Sequence, residues 1–270
     1  MNISVTFLTA YMYCKRKFFL EKIAGISEPP KDVVVKGSIK HDVFDLVNKQ
    51  ERGIVLSISS DDFEETLQKY RNNYAKNLRN IVMIYKEQLK KLDLKLSEVY
   101  NELWPLFLEE AESRAKNVHD FLKKHKVFGR ELWDKLTPKI ESEVFVQSDE
   151  LQLKGKIDRI EVFENSAIPV ELKTGSAPKE GLWEEHMIQL GAYMMLLEMM
   201  GKKTPVGKVK YIKENITREL HMNPFLQEEI KKLVKEVQDF LEKKTLPDFS
   251  KNRAKCEKCG LREDCFMFQT

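Results

Sequence analysis

The stretch that decides the fold runs from Gly155-Lys156-Ile157-Asp158 through the polar Glu164-Asn165-Ser166 to Pro169-Val170-Glu171-Leu172-Lys173-Thr174-Gly175. Its apolar parts predict two β-strands, and the polar tripeptide between them predicts a turn. If the turn is centred between Glu164 and Asn165, Asp158 lies directly opposite Glu171, with Cβ atoms about 4.5–5.5 Å apart. Lys173 lies two residues beyond Glu171, hence on the same face of its strand. The sequence therefore predicts a hairpin that gathers two carboxylates and a lysine.

Such a group of charges on the core of a sheet is unfavourable unless something neutralises it. A Mg²⁺ or Mn²⁺ ion bound to both carboxylates would do so, and it could activate a water and offset charge on a phosphate. Lys173 would then orient that water or stabilise the pentacovalent phosphate. The alternative is an ordinary acid–lysine pair on a surface hairpin, because the acid-x-lysine pattern is common.

Three further polar residues favour the metal-site interpretation. His41, on a helix predicted over residues 35–50, offers an imidazole that could complete the metal shell. Gln189 and Tyr193 are four residues apart on a helix predicted over 183–200, so they share a helix face and could reach the same phosphate or catalytic water. Taken alone, a single histidine is more often structural, and polar residues on a half-buried helix would equally account for Gln189 or Tyr193.

The order of these motifs resembles that of the RecB-like branch of the PD-(D/E)XK nucleases: a histidine, then the two strand segments, then Gln189-x-x-x-Tyr193. The resemblance covers roughly residues 1–60 and 140–270. It implies an α/β fold with a mixed central sheet flanked by helices. It also implies a catalytic lysine, supporting Gln and Tyr residues, and a metal bound by a histidine, two acids and a main-chain carbonyl. The corresponding residues are Lys173, Gln189 and Tyr193, and His41, Asp158, Glu171 and the Leu172 carbonyl.

The cysteines predict a second metal site. Three of them form Cys256-x-x-Cys259-x₅-Cys265, and the fourth, Cys14, lies far away in sequence. No segment has the length of a membrane span, and the pattern of a signal peptide is missing, so we expect a cytoplasmic protein with reduced thiols. Four cysteines there favour metal over disulfides. Zinc and an iron–sulfur cluster both accept four sulfur ligands, and the spacing does not choose between them.

The surroundings of the first cysteine, Thr6-x-Leu8-x-x-Tyr11-x-x-Cys14-x-Arg16-x-Phe18-x-Leu20, are similar to a motif of the iron–sulfur RecB-like nucleases. That group includes the small CRISPR-associated adaptation nucleases and the nuclease domains of AddB-type helicase–nucleases. The resemblance implies a [4Fe–4S] cluster on all four cysteines, joining the N- and C-terminal segments. Lys15 stands where the motif usually has proline, a change that leaves all four ligands in place. The chain has no Gly-x₄-Gly-Lys-Ser/Thr loop, which favours the stand-alone CRISPR type.

The charge pattern locates a candidate surface for nucleic acid. The 270 residues are 33% charged with a net charge of only +3, so binding would depend on local patches. Residues 69–95 contain eight Lys or Arg residues against two acids. We expect a basic helix face there, and name Lys69, Arg71, Lys76 and Arg79 as its members; a solvated helix surface is the alternative.

The remaining elements complete the predicted organisation. We expect a first helix over 4–22 capped by Thr6, two helices forming an antiparallel arm over 61–126 with breaks near 93–96 and at Pro105, and a last helix over 224–243. Strands are expected at 141–147, 151–163, 168–174, 206–213 and 217–222. The predicted divisions are N-terminal helices (1–60), a helical insertion (61–128), the nuclease core (129–245) and a cysteine segment (246–270).

These observations predict a metal-dependent DNA nuclease. The resemblance implies an exonuclease on single-stranded DNA or on ends with overhangs, with possible endonuclease activity. It places the enzyme in CRISPR spacer acquisition beside an integrase complex. The alternatives are a RecB-like nuclease of DNA repair and recombination, a non-catalytic module that binds DNA ends, and a zinc-stabilised helical adaptor.

Overall fold

Helices and strands alternate along the chain in the computed structural model, which describes residues 1–29 and 31–268. The elements are β1 (Ile3–Ser4), α1 (Val5–Tyr13), α2 (Lys15–Lys22), α3 (Asp32–Leu56), α4 (Phe63–Ile84), α5 (Lys86–Lys91), α6 (Leu96–His125), α7 (Gly129–Lys135), β2 (Lys139–Ser148), β3 (Leu153–Val162), β4 (Ala167–Lys173), α8 (Glu184–Met199), β5 (Gly207–Tyr211), β6 (Ile216–Leu220), α9 (Pro224–Lys243), α10 (Arg253–Glu257) and α11 (Arg262–Met267). None of the described helices is long and apolar enough to cross a membrane.

The chain folds as two compact units. The first contains Met1–Pro29, Val144–Ile160 and Asn165–Thr270, and the second contains Pro30–Glu143 and Glu161–Glu164. Helices α3 to α7 make up most of the second unit. The predicted division at residue 60 therefore falls inside one unit, because α3 packs against α4 and α6 of the predicted insertion.

The sheet is mixed and has six strands. Its order is β1-β3-β4-β5-β6, and β2 also pairs with β3. Strands β1 and β3 are parallel, as are β4 and β5, whereas β5 and β6 are antiparallel. The four-residue connection between β3 and β4 is the short link of a hairpin. The predicted mixed sheet flanked by helices is confirmed, while the two-residue β1 was not predicted because it is too short to show a pattern.

Helix α8 forms the centre of the first unit. Every residue from Ile188 to Leu197 is buried, because α8 packs against α1, α9, β4 and β5. A helix that is covered on all sides needs apolar residues on all sides, and the apolar run of α8 meets that need. A Cβ added at Gly191 would lie 2.8 Å from Ile230 Cδ1, so this glycine allows α9 to approach.

Three predicted details of the helices were wrong. The first predicted helix is broken at Cys14, which is extended (φ −165°, ψ 111°), and Ser4 rather than Thr6 precedes its first turn. Pro105 lies inside α6 and does not end it. Proline in a helix removes one hydrogen bond, and the close packing of α6 along α4 holds the helix through that position.

The second unit has a buried ion network in its core. Arg114 on α6 donates to Glu110 Oε1 at 3.0 Å and to Glu51 Oε2 at 3.2 Å, and Tyr70 donates to Glu51 Oε1 at 3.0 Å. All four side chains are buried. Because a buried charge is costly without a partner, this network fixes how α3, α4 and α6 pack together.

Candidate active site

The hairpin of β3 and β4 carries the predicted carboxylates. Asp158 lies on β3, and its Oδ2 accepts the backbone N–H of Leu172 at 3.0 Å. Glu171 lies on β4 and is only 4% exposed, because α8 covers that part of the sheet. The Asp158 carboxylate thus reaches the backbone of the residue that follows Glu171, and both acids belong to the first unit.

Gln189 joins Glu171 to Lys173. Lys173 Nζ donates to Gln189 Oε1 at 2.7 Å, and Gln189 Nε2 donates to Glu171 Oε1 at 2.7 Å. Lys173 Nζ also lies 3.0 Å from Glu171 Oε1. The amide oxygen of Gln189 therefore accepts from the lysine, and the amide nitrogen donates to the glutamate. These two hydrogen bonds fix the orientation of all three side chains. The structure brings these three predicted residues together.

Tyr193 lies one turn further along α8, in the core. Its side chain is 1% exposed, and a Cβ added at Gly155 would lie 2.6 Å from Tyr193 Cε1. The glycine at that point of β3 therefore leaves room for the aromatic ring. This placement gives Tyr193 a packing role between α8 and the sheet, and direct contact with a phosphate remains a prediction.

His41 lies on α3 in the second unit, beside an acid that the sequence did not single out. Its Nδ1 is 3.1 Å from Glu143 Oε1, and its side chain is 38% exposed. Glu143 lies in β2 with a left-handed backbone (φ 53°), an uncommon conformation for a residue with a side chain. No spacing in the sequence links the two residues, and the place of His41 in a metal shell remains a prediction.

A histidine that the sequence analysis missed lies near Lys173. His186 Nδ1 is 3.0 Å from the Tyr211 hydroxyl, and burial together with the positive charge of Lys173 lowers the pKa of His186 to about 4. His186 is therefore neutral at pH 7. Its position three residues before Gln189, one helical turn away, was the signal that could have found it.

The four cysteines lie around one small cavity in the first unit. The cavity measures about 30 Å³, and its lining includes Cys14, Cys256, Cys259 and Cys265, all of them free thiols. Cys14 lies between α1 and α2, where its sulfur accepts the backbone N–H of Lys17 at 3.4 Å. Its extended backbone interrupts the helix at the point where the thiol faces the cavity. Four sulfur donors around one cavity fit either four-sulfur metal group.

The Arg16 side chain links this cavity to the C-terminal segment by hydrogen bonds. Its guanidinium donates to Cys265 Sγ at 3.3 Å and to the carbonyls of Pro247, Cys265 and Phe268 at 2.7, 3.1 and 2.8 Å. Burial raises the pKa of Cys265, and Arg16 acts against that rise. Since metals bind the thiolate, the guanidinium favours the form of Cys265 that can be a ligand.

Together, the mixed sheet, the acid-x-lysine strand and the glutamine that bridges its two charges define a class of protein. A family model described as the PD-(D/E)XK nuclease superfamily matches residues 2–266, and the chain belongs to that superfamily. The predicted family and fold class are thereby confirmed.

Two curated relatives narrow the comparison. The chain is 26% identical over 154 residues to a CRISPR-associated exonuclease Cas4/endonuclease Cas1 fusion of Leptospira interrogans serogroup Icterohaemorrhagiae serovar Lai (strain 56601), over 53% of this chain and 28% of that protein. It is 25% identical over 283 residues to the DNA replication ATP-dependent helicase/nuclease dna2 of Schizosaccharomyces pombe (strain 972 / ATCC 24843), over 99% of this chain and 18% of that protein. The chain thus spans less than a third of either relative. The crystal structure of SSO0001 aligns with a TM-score of 0.34 and 20% identity, over 70% of this chain and 82% of that one.

Proposed function

We propose that this chain is a divalent-metal-dependent nuclease that hydrolyses phosphodiester bonds of DNA. The observation that carries the proposal is the hydrogen-bonded set of Glu171, Gln189 and Lys173 beside Asp158. A buried carboxylate and a lysine held by one amide are costly to build for stability alone. Their arrangement on β4 and α8 suits a reaction in which charge develops on a phosphate.

The donors present fit a hard cation. Mg²⁺ and Mn²⁺ prefer oxygen ligands such as carboxylates, and Asp158 and Glu171 would hold the ion. The family resemblance adds His41 and the Leu172 carbonyl to this ligand set. When bound, such an ion supplies charge compensation for the phosphate and lowers the pKa of a water ligand.

The chain's own residues orient the reactants. Lys173, held between Gln189 and Glu171, presents a positive charge to the phosphate or to the attacking water. Gln189 keeps the lysine in that place, and Tyr193 holds α8 against the sheet through its contact at Gly155. A fixed cation is effective because it needs no rearrangement as the charge develops.

We also propose that the four cysteines hold a [4Fe–4S] cluster. The four thiols that line one cavity support a four-sulfur group, and the motif around Cys14 favours iron over zinc. The cluster would join α1 and α2 to the segment after residue 245. This role is structural, because no cysteine has a part in the hydrolysis.

The finer assignment is an exonuclease on single-stranded DNA or overhangs that acts in CRISPR spacer acquisition with an integrase complex. The name of the Cas4/Cas1 fusion, which joins an exonuclease to an endonuclease, supports it. The match to a replication helicase/nuclease supports a role in DNA repair as the second candidate. Both candidates share the metal-dependent chemistry and differ in their partners.

The test is digestion of end-labelled single- and double-stranded DNA with Mg²⁺, with Mn²⁺ and with EDTA. We expect cleavage only with added metal, and none by Asp158→Ala or Glu171→Ala. Lys173→Ala should be inactive and still bind Mn²⁺ in isothermal titration, because the lysine acts on water and phosphate. Undiminished cleavage by either acid variant would overturn the assignment, and loss of Mn²⁺ affinity in Lys173→Ala would contradict the role of the lysine.

A further inference from the structure

A cavity beside Lys173 is not explained by the metal site. It measures about 350 Å³ and lies within the first unit, between α1, α2 and the first turns of α8. Lys173, Gln189 and His186 are part of its lining, together with Tyr13 of α1. This volume is at the lower end of the range of small-ligand sites, about 300–1,000 Å³. It has room for one nucleotide, and it adjoins the lysine of the proposed reaction.

His186 presents a neutral hydrogen-bond donor to this cavity. The buried Tyr211 hydroxyl lies 3.0 Å from His186 Nδ1, and the imidazole tautomer decides which of the two atoms donates. The subsite requires the hydroxyl to donate and Nδ1 to accept. An imidazole that accepts at Nδ1 carries its hydrogen on Nε2 when it is neutral. His186 is neutral at pH 7 because burial and the charge of Lys173 lower its pKa to about 4. With Nδ1 as the acceptor, Nε2 is the ring atom that carries the hydrogen and can donate it into the cavity.

We infer that His186 is a substrate-contacting residue whose Nε2–H donates to a phosphate oxygen of the DNA strand next to the scissile bond. This inference rests on the proposed function and names a subsite for it. A phosphate oxygen is the acceptor that suits a donor placed beside the ammonium of Lys173. Because the imidazole is neutral, it binds the anion without adding to the positive charge of Lys17 and Lys173, which both line the cavity.

Tyr211 is the positioning residue of this subsite. It lies on β5 in register with Lys173 on β4, and its side chain is fully buried. The sheet thus holds the phenol, and a hydrogen bond donated by the phenol would hold the imidazole in the Nε2–H tautomer. Loss of the hydroxyl should release the tautomer while it leaves the ring in place.

The first test measures affinity without cleavage. Binding of a fluorescein-labelled single-stranded oligodeoxynucleotide is followed by anisotropy in EDTA for His186→Ala, His186→Gln and the matched control His221→Ala, an exposed histidine of the same unit. We expect His186→Ala to raise Kd roughly 10- to 100-fold, the factor of one hydrogen bond to a charged group. His186→Gln, which keeps a donor near the ε position, should recover most of the affinity, and His221→Ala should match the wild type. Equal Kd values for His186→Ala and His221→Ala would overturn the inference.

The second test identifies the acceptor. Single methylphosphonate linkages, which lack the charged oxygen, are placed one at a time along the oligonucleotide. At one position, a methylphosphonate should weaken binding to the wild type but not to His186→Ala. The reason is that the modified linkage and the missing imidazole remove the same hydrogen bond. Strict additivity at every position would show that His186 contacts no phosphate.

The third test reads the tautomer directly. In protein labelled with ¹⁵N-histidine, we expect the His186 ring to be the Nε2–H tautomer from pH 6 to 8, and a mixture of tautomers in Tyr211→Phe. An Nδ1–H tautomer in the wild type would place the donor on the wrong nitrogen and contradict the inference. None of these measurements requires cleavage. A protein that cuts DNA with none of the metals tested would contradict the proposed function, and the binding measurements would still decide whether His186 contacts a phosphate.

Discussion

At the residue scale, the Gln189 side chain joins Glu171 and Lys173 of β4 into one hydrogen-bonded site. Lys173 and Glu171 lie on the same strand face, and a bare ion pair between them could form in many geometries. The amide of Gln189 selects one of them, because its oxygen takes the lysine at 2.7 Å and its nitrogen takes the glutamate at 2.7 Å. The lysine is thereby placed before substrate arrives.

This role predicts the effect of Gln189→Ala. We expect kcat to fall about 100-fold, a loss typical of a misplaced catalytic group, while KM for DNA changes little because the lysine charge is retained. The matched control is Gln68→Ala, on an exposed turn of α4. Steady-state cleavage of a labelled oligonucleotide gives both constants. A rise in KM with unchanged kcat would mean that Gln189 binds substrate and does not position Lys173.

At the scale of elements, α3 and α4 form a basic groove in the second unit. Its lining includes Lys49 and Arg52 from α3 and Lys69 and Lys76 from α4, with the amides of Asn72 and Asn73 between the α4 lysines. These α4 positions are three to four residues apart and share one helix face. The predicted basic face is therefore made partly by α3, which the sequence pattern did not show.

The four basic groups are not equivalent. Lys49 is paired with Asp45, and Lys69 with Glu65 at 3.0 Å. Arg52 and Lys76 are exposed and line the same groove. Of the other two predicted members, Arg71 is half-buried and Arg79 is exposed, and neither is among the residues that line the groove. We therefore assign the charge available for a DNA backbone mainly to Arg52 and Lys76.

Reversal of those two charges tests the groove. We expect Arg52→Glu with Lys76→Glu to weaken DNA binding and to reduce the slope of log Kd against log salt by about two, near one per lost phosphate contact. Lys90→Glu with Lys91→Glu, on the exposed part of α5, makes the same change in net charge and is the control. If both pairs reduce affinity equally, net charge rather than the groove is responsible. If neither does, the groove does not bind DNA, and a partner protein becomes the ligand to test.

At the scale of the whole molecule, the N-terminal segment around α2 and the C-terminal segment around α10 and α11 lie together at the cysteine cavity. Arg16 on α2 donates to the carbonyls of Pro247, Cys265 and Phe268, with separations of 231 to 252 residues. Glu28 accepts from Lys17 at 2.7 Å and from the backbone N–H of Gly260 at 2.7 Å. Phe19 packs edge-to-face on Phe268. These contacts bring the termini together, and a metal group on the four thiols would fasten them.

Removal of one cysteine should therefore destabilise the whole first unit. A cross-link that closes a very long loop is worth about 4–5 kcal/mol by analogy with a disulfide, a large part of the roughly 5–15 kcal/mol of a folded domain. We expect Cys14→Ser to bleach the protein, to lower Tm and solubility, and to reduce activity through instability. Iron and sulfide analysis after anaerobic purification should give about four irons per chain.

Two outcomes would contradict this expectation. One zinc per chain without iron would replace the cluster by the zinc site that the cysteine spacing leaves open. A Cys14→Ser protein with unchanged colour and Tm would show that Arg16, Glu28 and their partners join the termini without help from the thiols.

Local pattern was sufficient wherever an element depends on neighbours in sequence. Helix α9 begins and ends as predicted, because Asn223 Oδ1 accepts the backbone N–H of Leu226 at its start and Lys244 closes it in a left-handed conformation. The β3–β4 hairpin follows from two apolar strands and a polar turn, so the acid-x-lysine strand and the family could be predicted. The four cysteines, too, could be named from sequence as one set.

What the sequence by itself determined is thus the family and the order of most helices and strands, since these depend on local periodicity and short spacings. It also named the side chains that we propose for the reaction. Only the tertiary structure decided which partners those side chains meet. The break at Cys14, the contact of His41 with Glu143, and the contact of His186 with Tyr211 each depend on residues brought together by the fold. Local periodicity carries no information on such pairs, because packing, burial and hydrogen-bond geometry select them after the chain has folded.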